Sequence, residues 1–360
     1  MKIPFIARVL LGVSSLPLIG ASGGLLAATV SATDPLVQVE GRTAVVSEGV
    51  RRVGFPGVAF RLKVETASLA MRCRASNANL YIDVEVDGGE AQRLKLAAGE
   101  QAISLFSGAA GTHEVVVTRR NESWQGTIEV LGFEAAEGRF LAPAPLPERK
   151  LLFIGDSVTC GEATDIRAGD PADGPHTACG RLAYGKVLAR KLGAQCHLVS
   201  YGGRGIIRDW QGIRDTANAP VFYERALPDE ATPLWDHASY VPDGIGIALG
   251  TNDFNQGVPD QNEFVNAYVE LVRKVRRDAP DAFIVLIDSP IVNDSPDKGP
   301  RQTVLRHYLD EVVRRVGSPR VVHVRGGHYP GRPENAHPIA HEHVAIAGEL
   351  EPVFRAGLSW

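Results

Sequence analysis

The hydrophobic pattern of this chain changes at a short proline-rich stretch, residues 142–147, and this change limits the possible folds more than any other feature. Before the stretch, apolar and polar residues alternate with a period of two. After it, short apolar runs alternate with longer amphipathic stretches. Proline-rich segments are stiff and extended, which suits a connector. The sequence therefore predicts two domains of different class, joined by a linker at residues 142–149.

The N-terminal region, residues 33–141, has the pattern of an all-β domain. Along Val58, Phe60, Leu62 and Val64, for example, every second residue is apolar. Glycine-containing turns separate such runs, and no convincing amphipathic helix interrupts them. We expect a jelly-roll-like β-sandwich. Since it holds no evident catalytic cluster, we interpret it as a structural neighbour of the second domain, with glycan binding as the alternative.

Residues 150–360 alternate between short Val- and Ile-rich strands and amphipathic helices. This order is typical of α/β domains, in which helices cover both faces of a parallel sheet and make three layers. In such a sheet the active site lies beyond the carboxyl ends of the strands. The predicted strands are 151–154, 197–201, 244–249, 283–287 and 320–324, and the predicted helices are 180–192, 262–278, 301–316 and 340–354.

Three polar segments of this domain carry residues suited to acyl transfer. The first, LLFIGDSVTCG at residues 151–161, places Ser157 on a sharp turn after a strand. The second is GTND at residues 250–253, and the third is His337, which precedes a proline and the last predicted helix. Acyl transfer requires a nucleophile, a base and donors for the oxyanion. Ser157 is the candidate nucleophile and His337 the candidate base.

In this order, the three segments resemble the motifs of the SGNH (GDSL-type) hydrolases. The longer GDSVTCG run, the G-R-G segment at residues 203–205 and the preceding β domain are most similar to the carbohydrate esterase family 2 acetylesterases. The oxyanion donors are then expected to be the N–H of Ser157, the N–H of Gly203 and the side chain of Asn252, with Gly202 as the alternative glycine. The resemblance implies an exported serine esterase that removes O-acetyl groups from acetylxylan- or glucomannan-type carbohydrate.

The group that orients the base departs from the family pattern. The family places an aspartate three residues before the histidine, whereas this chain has Glu334 there. In neighbouring registers the orienting group is Asn335 or a backbone carbonyl. We therefore predict a Ser157–His337 dyad with Glu334 as the candidate third member.

Aromatic residues in loops near the expected active edge are candidates for stacking on sugar rings: Tyr201, Trp210 and Trp235. The alternative is that they pack in the protein interior. Two other functions remain open at this point. One is a lipase or thioesterase of the same fold that acts on small acyl esters, and the other is a catalytically silent glycan-binding protein.

Residues 1–32 have the features of an export signal. Lys2 and Arg8 flank an apolar stretch that ends in the small residues Val30, Ser31 and Ala32. Removing two basic and no acidic residues changes the formal net charge from −4 to −6. That balance argues against a nucleic-acid partner, which requires clustered Lys and Arg. We expect a secreted or periplasmic monomer with no membrane association after cleavage.

Four cysteines and a group of C-terminal histidines leave two further questions. In an oxidising compartment Cys160 and Cys179 could form a disulfide beside the nucleophile, although sequence does not fix the pairing. His337, His341 and His343 offer nitrogen ligands for a metal, but their spacing matches no standard zinc pattern. We expect no metal and no organic cofactor.

Overall fold

The computed structural model describes residues 1, 27–171 and 173–360, which form an antiparallel β domain followed by a parallel α/β domain. Residues 142–149 lie between the last strand of the first domain and the first strand of the second. The strands of the first domain are β1 Ala28–Ser31, β2 Gln38–Glu40, β3 Ala44–Ser47, β4 Val50–Val53, β5 Ala59–Ala75, β6 Tyr81–Val86, β7 Gln92–Lys95, β8 Gly99–Arg119, β9 Ile128–Ala135 and β10 Gly138–Leu141.

These ten strands form one antiparallel network in the order β3-β4-β9-β5-β8-β6-β7, to which β1, β2 and β10 add at the sides. The long strands β5 and β8 pair along nearly their whole length with irregular register, so they bend and the sheet curls around its own core. Along β5 the residues Phe60, Leu62 and Val64 are buried and alternate with partly exposed ones. The predicted all-β class is therefore confirmed, while the jelly-roll connectivity stays a prediction.

The start of the first domain differs from the expected boundary at residue 33. Strand β1 pairs with β9, from Ala28 opposite Ala135 to Ser31 opposite Gly132, and Ala32 is fully buried. Cleavage after Ala32 would remove a paired strand, so the folded domain begins by Ala28. The remainder of the predicted export signal, residues 2–26, lies outside the described residues.

The second domain contains a parallel sheet in the order β12-β11-β13-β14-β15. Its strands are β11 Lys150–Gly155, β12 Gln195–Ser200, β13 Gly244–Ala248, β14 Phe283–Ile287 and β15 Val321–Val324. Its helices are α1 Ser157–Cys160, α2 Tyr184–Leu192, α3 Ala219–Phe222, α4 Thr251–Asn255, α5 Gln261–Asp278, α6 Arg301–Val316 and α7 Ala340–Leu358. The predicted strand–helix order is confirmed, and the short helices α1, α3 and α4 lie in segments that the sequence pattern left as loops.

Helices cover both faces of this sheet because side chains alternate along each strand. On β11, Leu152 and Ile154 pack with the apolar residues of α5 and α6, whereas Leu151 and Phe153 pack with those of α2 and α7. The first of these two apolar clusters continues into the core of the β domain. The two domains therefore share buried apolar packing.

Charged side chains also cross the domain boundary. Glu40 of β2 accepts hydrogen bonds from Lys186 Nζ at 2.6 Å and from the Cys196 N–H at 2.9 Å. Burial alone would raise the pKa of Glu40, but the charges of Lys186 and Arg61 outweigh it and lower the pKa to about 2. The carboxylate is thus held charged inside the interface.

A second charged group lies deeper in the same interface. Asp83 of β6 is fully buried and pairs with Arg120 Nη1 at 2.5 Å and with Arg181 Nε at 2.9 Å. Arg120 also reaches Asp165 Oδ2 at 2.8 Å. These contacts tie the β domain to the loop that follows α1.

The predicted disulfide between Cys160 and Cys179 is not formed. All four cysteines are free and buried. Cys160 Sγ lies 3.3 Å from Ser200 Oγ, while Cys179 Sγ points to Asp83 Oδ2 at 3.2 Å. The two thiols therefore have different polar partners, one on β12 and the other on β6. Within the described ranges, no helix combines the length and apolarity needed to cross a bilayer.

Candidate active site

Ser157 is the first residue of α1, directly after β11. Asp156 precedes it as the N-cap residue, and its Oδ1 accepts from the Val158 N–H at 3.1 Å. Burial raises the pKa of Asp156, although hydrogen bonds from Thr251 and from the Val158 N–H lower it in part. The first N–H groups of a helix have no partner within the helix. Ser157 therefore presents both its hydroxyl and its own N–H at the carboxyl edge of the sheet, as the sequence predicts.

His337 lies on the loop between β15 and α7, 180 positions after Ser157. Its Nε2 is 2.8 Å from Ser157 Oγ. This is the distance of a direct hydrogen bond, and it is short enough for proton transfer. The predicted pairing of these two residues is thus present in the structure.

The predicted orienting residue, Glu334, does not contact the imidazole. Its side chain is exposed, while His337 Nδ1 lies 2.7 Å from Asn335 Oδ1 and 3.0 Å from the Asn335 carbonyl oxygen. Asn335 is two residues from His337, so its side chain and its carbonyl can both reach back to the ring, whereas Glu334 lines the cleft with an exposed side chain. The prediction of Glu334 was wrong, and the alternative register with Asn335 holds.

Asn252 lies on α4, directly beyond β13, and its Nδ2 donates to the Arg204 carbonyl at 2.8 Å. The next residue, Asp253, accepts from the N–H groups of Ile206, Ile207 and Arg208. Burial raises the pKa of Asp253 to about 6, against the lowering effect of these donors. The GTND segment therefore fixes the loop after β12 beside Ser157.

Ser157, His337 and Asn252 line one open cleft of about 800 Å³. The predicted glycines Gly202 and Gly203 line it too, and Gly203 has a φ of +77°, which favours glycine. A Cβ at Gly203 would lie 2.9 Å from the Trp210 ring. The backbone therefore approaches the cleft closely at this position.

Of the three predicted aromatic residues, two line the cleft and one does not. Trp210 is 51% exposed on the cleft wall, and Tyr201 lines it while its hydroxyl donates to Asp229 at 2.7 Å. Trp235 packs instead against Ala44, Ala226 and Leu227 beneath the Arg42 guanidinium, outside the cleft. The prediction for Trp235 was wrong because its loop turns back onto the β domain.

Two residues of the β domain also line the cleft, and the sequence analysis missed both. They are Glu122 and Trp124, in the connection between β8 and β9. Trp124 is 57% exposed, and its Nε1 donates to Glu122 Oε2. A tryptophan in a turn between two strands is the signal that could have pointed to an exposed aromatic.

Glu122 is buried although it carries a carboxyl group. Its burial raises the pKa well above 4.5, and the nearby charges of Glu162 and Asp156 raise it further, against the effects of Trp124 and Arg119. A Cβ at Gly202 would lie only 1.8 Å from Glu122 Oε2. The β domain therefore contacts the glycine segment of the catalytic domain directly.

The histidines considered as metal ligands are not gathered in the structure. His343 is buried, its Nδ1 accepts from the Tyr184 N–H at 3.0 Å, and burial lowers its pKa to about 3. Among the described residues, the group close enough to share a metal ion is Glu224, His237 and Asp278, and none of these lines the cleft. Lys274 and Arg277 already pair with its two carboxylates.

Comparison with known proteins agrees with this architecture in both domains. Residues 39–145 match the family described as "Carbohydrate esterase 2 N-terminal", and residues 153–338 match the "GDSL-like Lipase/Acylhydrolase family". An acetylxylan esterase / glucomannan deacetylase of Cellvibrio japonicus is 38% identical over 334 residues, which cover 92% of each chain.

Solved structures give the same result. A family two carbohydrate esterase from Cellvibrio japonicus superposes with a TM-score of 0.88 at 38% identity and covers 93% of this chain and 98% of its own. A family two carbohydrate esterase from Clostridium thermocellum, in complex with cellohexaose, superposes with a TM-score of 0.82 at 27% identity, over 90% and 99% of the two chains. With both domains matched and nearly the whole chain covered, this protein belongs to the family two carbohydrate esterases.

Proposed function

We propose that this protein removes O-acetyl groups from polysaccharides or oligosaccharides of the acetylxylan and glucomannan type, with Ser157 as nucleophile and His337 as base. The observation that carries the proposal is the 2.8 Å contact between Ser157 Oγ and His337 Nε2 at the floor of an open cleft. The name of the Cellvibrio japonicus relative supports the choice of substrate. An open cleft suits a polymer better than a closed pocket does.

The first half of the reaction forms an acetyl-enzyme. Ser157 Oγ attacks the acetyl carbonyl carbon while its proton moves to His337 Nε2. The oxygen of the tetrahedral intermediate accepts from the N–H groups of Ser157 and Gly203 and from the Asn252 amide. The imidazolium then gives its proton to the sugar oxygen, the C–O bond breaks, and the sugar leaves as an alcohol.

The second half releases acetate. A water molecule attacks the acetyl-enzyme, and His337 accepts its proton and then returns a proton to Ser157 Oγ. Asn335 supports both halves because it accepts from the Nδ1–H of the imidazole and leaves Nε2 free as the base. The reaction uses protein groups and water only, and the proposal includes no metal or organic cofactor.

Two aromatic side chains support binding of a carbohydrate chain. Trp124 and Trp210 are each about half exposed on the cleft wall, one from each domain. The Trp124 ring is held by a hydrogen bond to Glu122, and the backbone N–H of Trp210 donates to the Gly203 carbonyl at 2.9 Å. Rigid aromatic surfaces bind with little loss of side-chain entropy. Such rings offer flat faces on which sugar rings can stack.

The test is acetate release from acetylated xylan, glucomannan and cello-oligosaccharides by the wild-type protein and by Ser157→Ala. We expect release by the wild type and a loss of at least ~10⁴-fold in the variant. If neither protein releases acetate but both bind the polymers, the protein is a silent glycan-binding protein. If 4-nitrophenyl esters with acyl chains longer than butyryl are preferred over the acetate, it is a lipase-type esterase.

We further propose that the enzyme acts outside the cytoplasm as a monomer. The Lys2–Arg8 pair and the apolar stretch that follows support export, since polymeric carbohydrate lies outside the cell. Activity that stays in the cytosolic fraction of the producing cell, after the periplasm and medium have been separated, would contradict export. Gel filtration at micromolar concentration tests the monomer.

A further inference from the structure

The amide of Asn335 lies between His337 on one side and two carboxylates on the other. Its Oδ1 is 2.7 Å from His337 Nδ1. Its Nδ2 is 3.4 Å from Glu162 Oε1 and 3.2 Å from Asp173 Oδ1. Each of the two amide hydrogens thus has one carboxylate to donate to. Both carboxylates come from the loop that follows α1, more than 160 positions before Asn335.

An amide differs from a carboxylate because its two ends have opposite hydrogen-bonding roles. A carboxylate accepts at both oxygens, whereas an amide accepts at Oδ1 and donates at Nδ2. If the Asn335 amide rotated by 180°, its NH₂ would face His337 Nδ1 and its oxygen would face two negative charges. The second arrangement loses two charge-assisted hydrogen bonds and gains repulsion. The carboxylates therefore select one orientation of the amide.

Two oxygens of Asn335 face Nδ1 of His337: the backbone carbonyl at 3.0 Å, which always accepts, and Oδ1 at 2.7 Å, which accepts only in this orientation of the amide. The amide orientation therefore decides whether the side chain reinforces or opposes the proton on Nδ1. With Oδ1 toward the ring, Nδ1 must donate and Nε2 keeps its lone pair, 2.8 Å from Ser157 Oγ. With NH₂ toward the ring, the amide would compete with the Asn335 carbonyl and favour the tautomer that has its proton on Nε2, which could not take one from Ser157. A wrong tautomer costs a serine hydrolase as much as ~10⁴ in kcat.

Glu162 is held in place by two further hydrogen bonds. Its backbone N–H donates to the Ser157 carbonyl at 3.1 Å, so it is tied to the same turn as the nucleophile. Its Oε1 also accepts from Thr177 Oγ1 at 3.1 Å. Asp173 is exposed and accepts from the Gly174 N–H at 2.8 Å. Glu162 is therefore the better anchored of the two carboxylates.

We propose that Glu162, assisted by Asp173, is a positioning residue that fixes the tautomer of His337 through the Asn335 amide. The inference rests on the proposed function, because it assigns His337 as the base. It gives this chain a four-residue relay, Ser157–His337–Asn335–Glu162, in place of a triad with a carboxylate against the imidazole.

The test is kinetic and uses Glu162→Gln, Asp173→Asn and the double variant. Glutamine can offer either NH₂ or oxygen to Asn335, so the selection of one amide orientation is lost. We expect Glu162→Gln to lower kcat about tenfold with KM nearly unchanged, and the double variant to lower it further. Glu137→Gln is the matched control: it removes the same charge from an exposed side chain of the β domain that does not line the cleft, and is expected to change kcat less than ~2-fold.

The same Glu162→Gln substitution, made in an Asn335→Asp variant, distinguishes control of the His337 tautomer from a purely structural role of Glu162. In Asn335→Asp, the group against His337 Nδ1 is a carboxylate, which has no donor end to select. Glu162→Gln should therefore cost little in that background, and it can even raise kcat by removing a repulsive neighbour. An equal loss in both backgrounds, or no loss in the wild-type background, would overturn the proposal.

Nitrogen NMR of histidine-labelled protein supplies a direct readout of the tautomer. The ¹⁵N shifts of His337 should report the Nδ1–H form in the wild type and a mixture of both forms in Glu162→Gln. An unchanged Nδ1–H form together with a lower kcat would also overturn the proposal. If Ser157→Ala keeps its esterase activity, the proposed function fails instead, so the two failures are distinguishable.

Discussion

The two walls of the cleft come from two domains and differ in what they contribute. The α/β wall holds Ser157, His337 and Asn252, each beyond the end of a parallel strand or on the loop before the last helix. The β wall holds Glu122 and Trp124, on a turn between two antiparallel strands. The α/β wall contains every group proposed to react. The β wall contributes the exposed ring of Trp124, which donates a hydrogen bond to the buried carboxyl group of Glu122.

The proposed catalytic groups therefore lie on one wall only, whereas the aromatic rings proposed to bind carbohydrate, Trp210 and Trp124, lie one on each wall. Ser157, His337 and Asn252 on the α/β wall are proposed to act on the acetyl group, so their loss should lower kcat for every ester. The Trp124 ring on the β wall is proposed to contact the carbohydrate away from the reacting atoms, so its loss should weaken binding of polymers alone. The comparison can be tested with one substitution on each wall and two in the contacts that join them.

The largest effect is expected from Asn252→Ala on the α/β wall. Removal of one oxyanion donor should lower kcat about 10²- to 10³-fold for both 4-nitrophenyl acetate and acetylated xylan, with KM nearly unchanged. Initial-rate kinetics on both substrates check this. Asn266→Ala, which removes an exposed amide from α5, is the control and should leave both rates unchanged. A loss confined to xylan would place Asn252 in recognition rather than catalysis.

Asp83→Ala tests the connection between the walls. The change leaves Arg120 buried with Asp165 as its remaining carboxylate partner, and it should lower the free energy of unfolding by about 3 kcal/mol. Chemical denaturation followed by fluorescence measures it. Glu100→Ala, which removes an exposed pair with Arg74, should have no measurable effect. Equal stabilities for the two variants would show that the buried group does not hold the domains together.

Trp124→Ala should affect polymers selectively. We expect KM for acetylated xylan to rise about tenfold, which corresponds to ~1.4 kcal/mol of lost binding, with kcat and the rate on 4-nitrophenyl acetate unchanged. Trp235→Ala is the matched control because Trp235 packs outside the cleft. A similar KM for both variants would remove the β wall from substrate recognition.

The smallest effect is expected from Glu122→Gln and depends on pH. The pKa of Glu122 is raised by burial and then by Glu162, so the folded protein keeps this proton above pH 4.5, where the unfolded chain loses it. Stability therefore decreases as pH rises from 4.5 toward the raised pKa, and glutamine removes this decrease. Tm should rise by about 1–2 °C more at pH 8 than at pH 5. The same change in Tm at both pH values would contradict the raised pKa of Glu122. The control Glu137→Gln, at an exposed position, should show no difference in Tm change between the two pH values.

The sequence predicted the elements of the second domain closely because their hydrophobic patterns are strong. Strand β14 and helix α6 have the predicted bounds, and α7 exceeds its predicted end at residue 354 by four residues, with Pro352 inside it. Ser157, His337 and Asn252 were predicted because each follows a strand or precedes the last helix. Position relative to these elements was enough to bring them to one edge.

The remaining parts of the site depend on contacts between distant segments, which periodicity does not encode. Trp124 reaches the cleft only because the β domain docks beside the glycine segment, and Glu162 meets Asn335 across 173 positions of chain. The choice between Glu334 and Asn335 depended on the direction of one turn. The disulfide prediction was also wrong because of contacts between distant segments: Cys160 and Cys179 each face a buried polar side chain from another strand.

The close approach of Gly202 to Glu122 has a consequence for the evolution and engineering of this protein. Any side chain at Gly202 would clash with Glu122, so a replacement β domain would have to fit just as closely against the backbone of this glycine. The β domain is therefore not a detachable module that could be moved to another enzyme. Substitutions at this contact in one domain therefore require matching substitutions in the other.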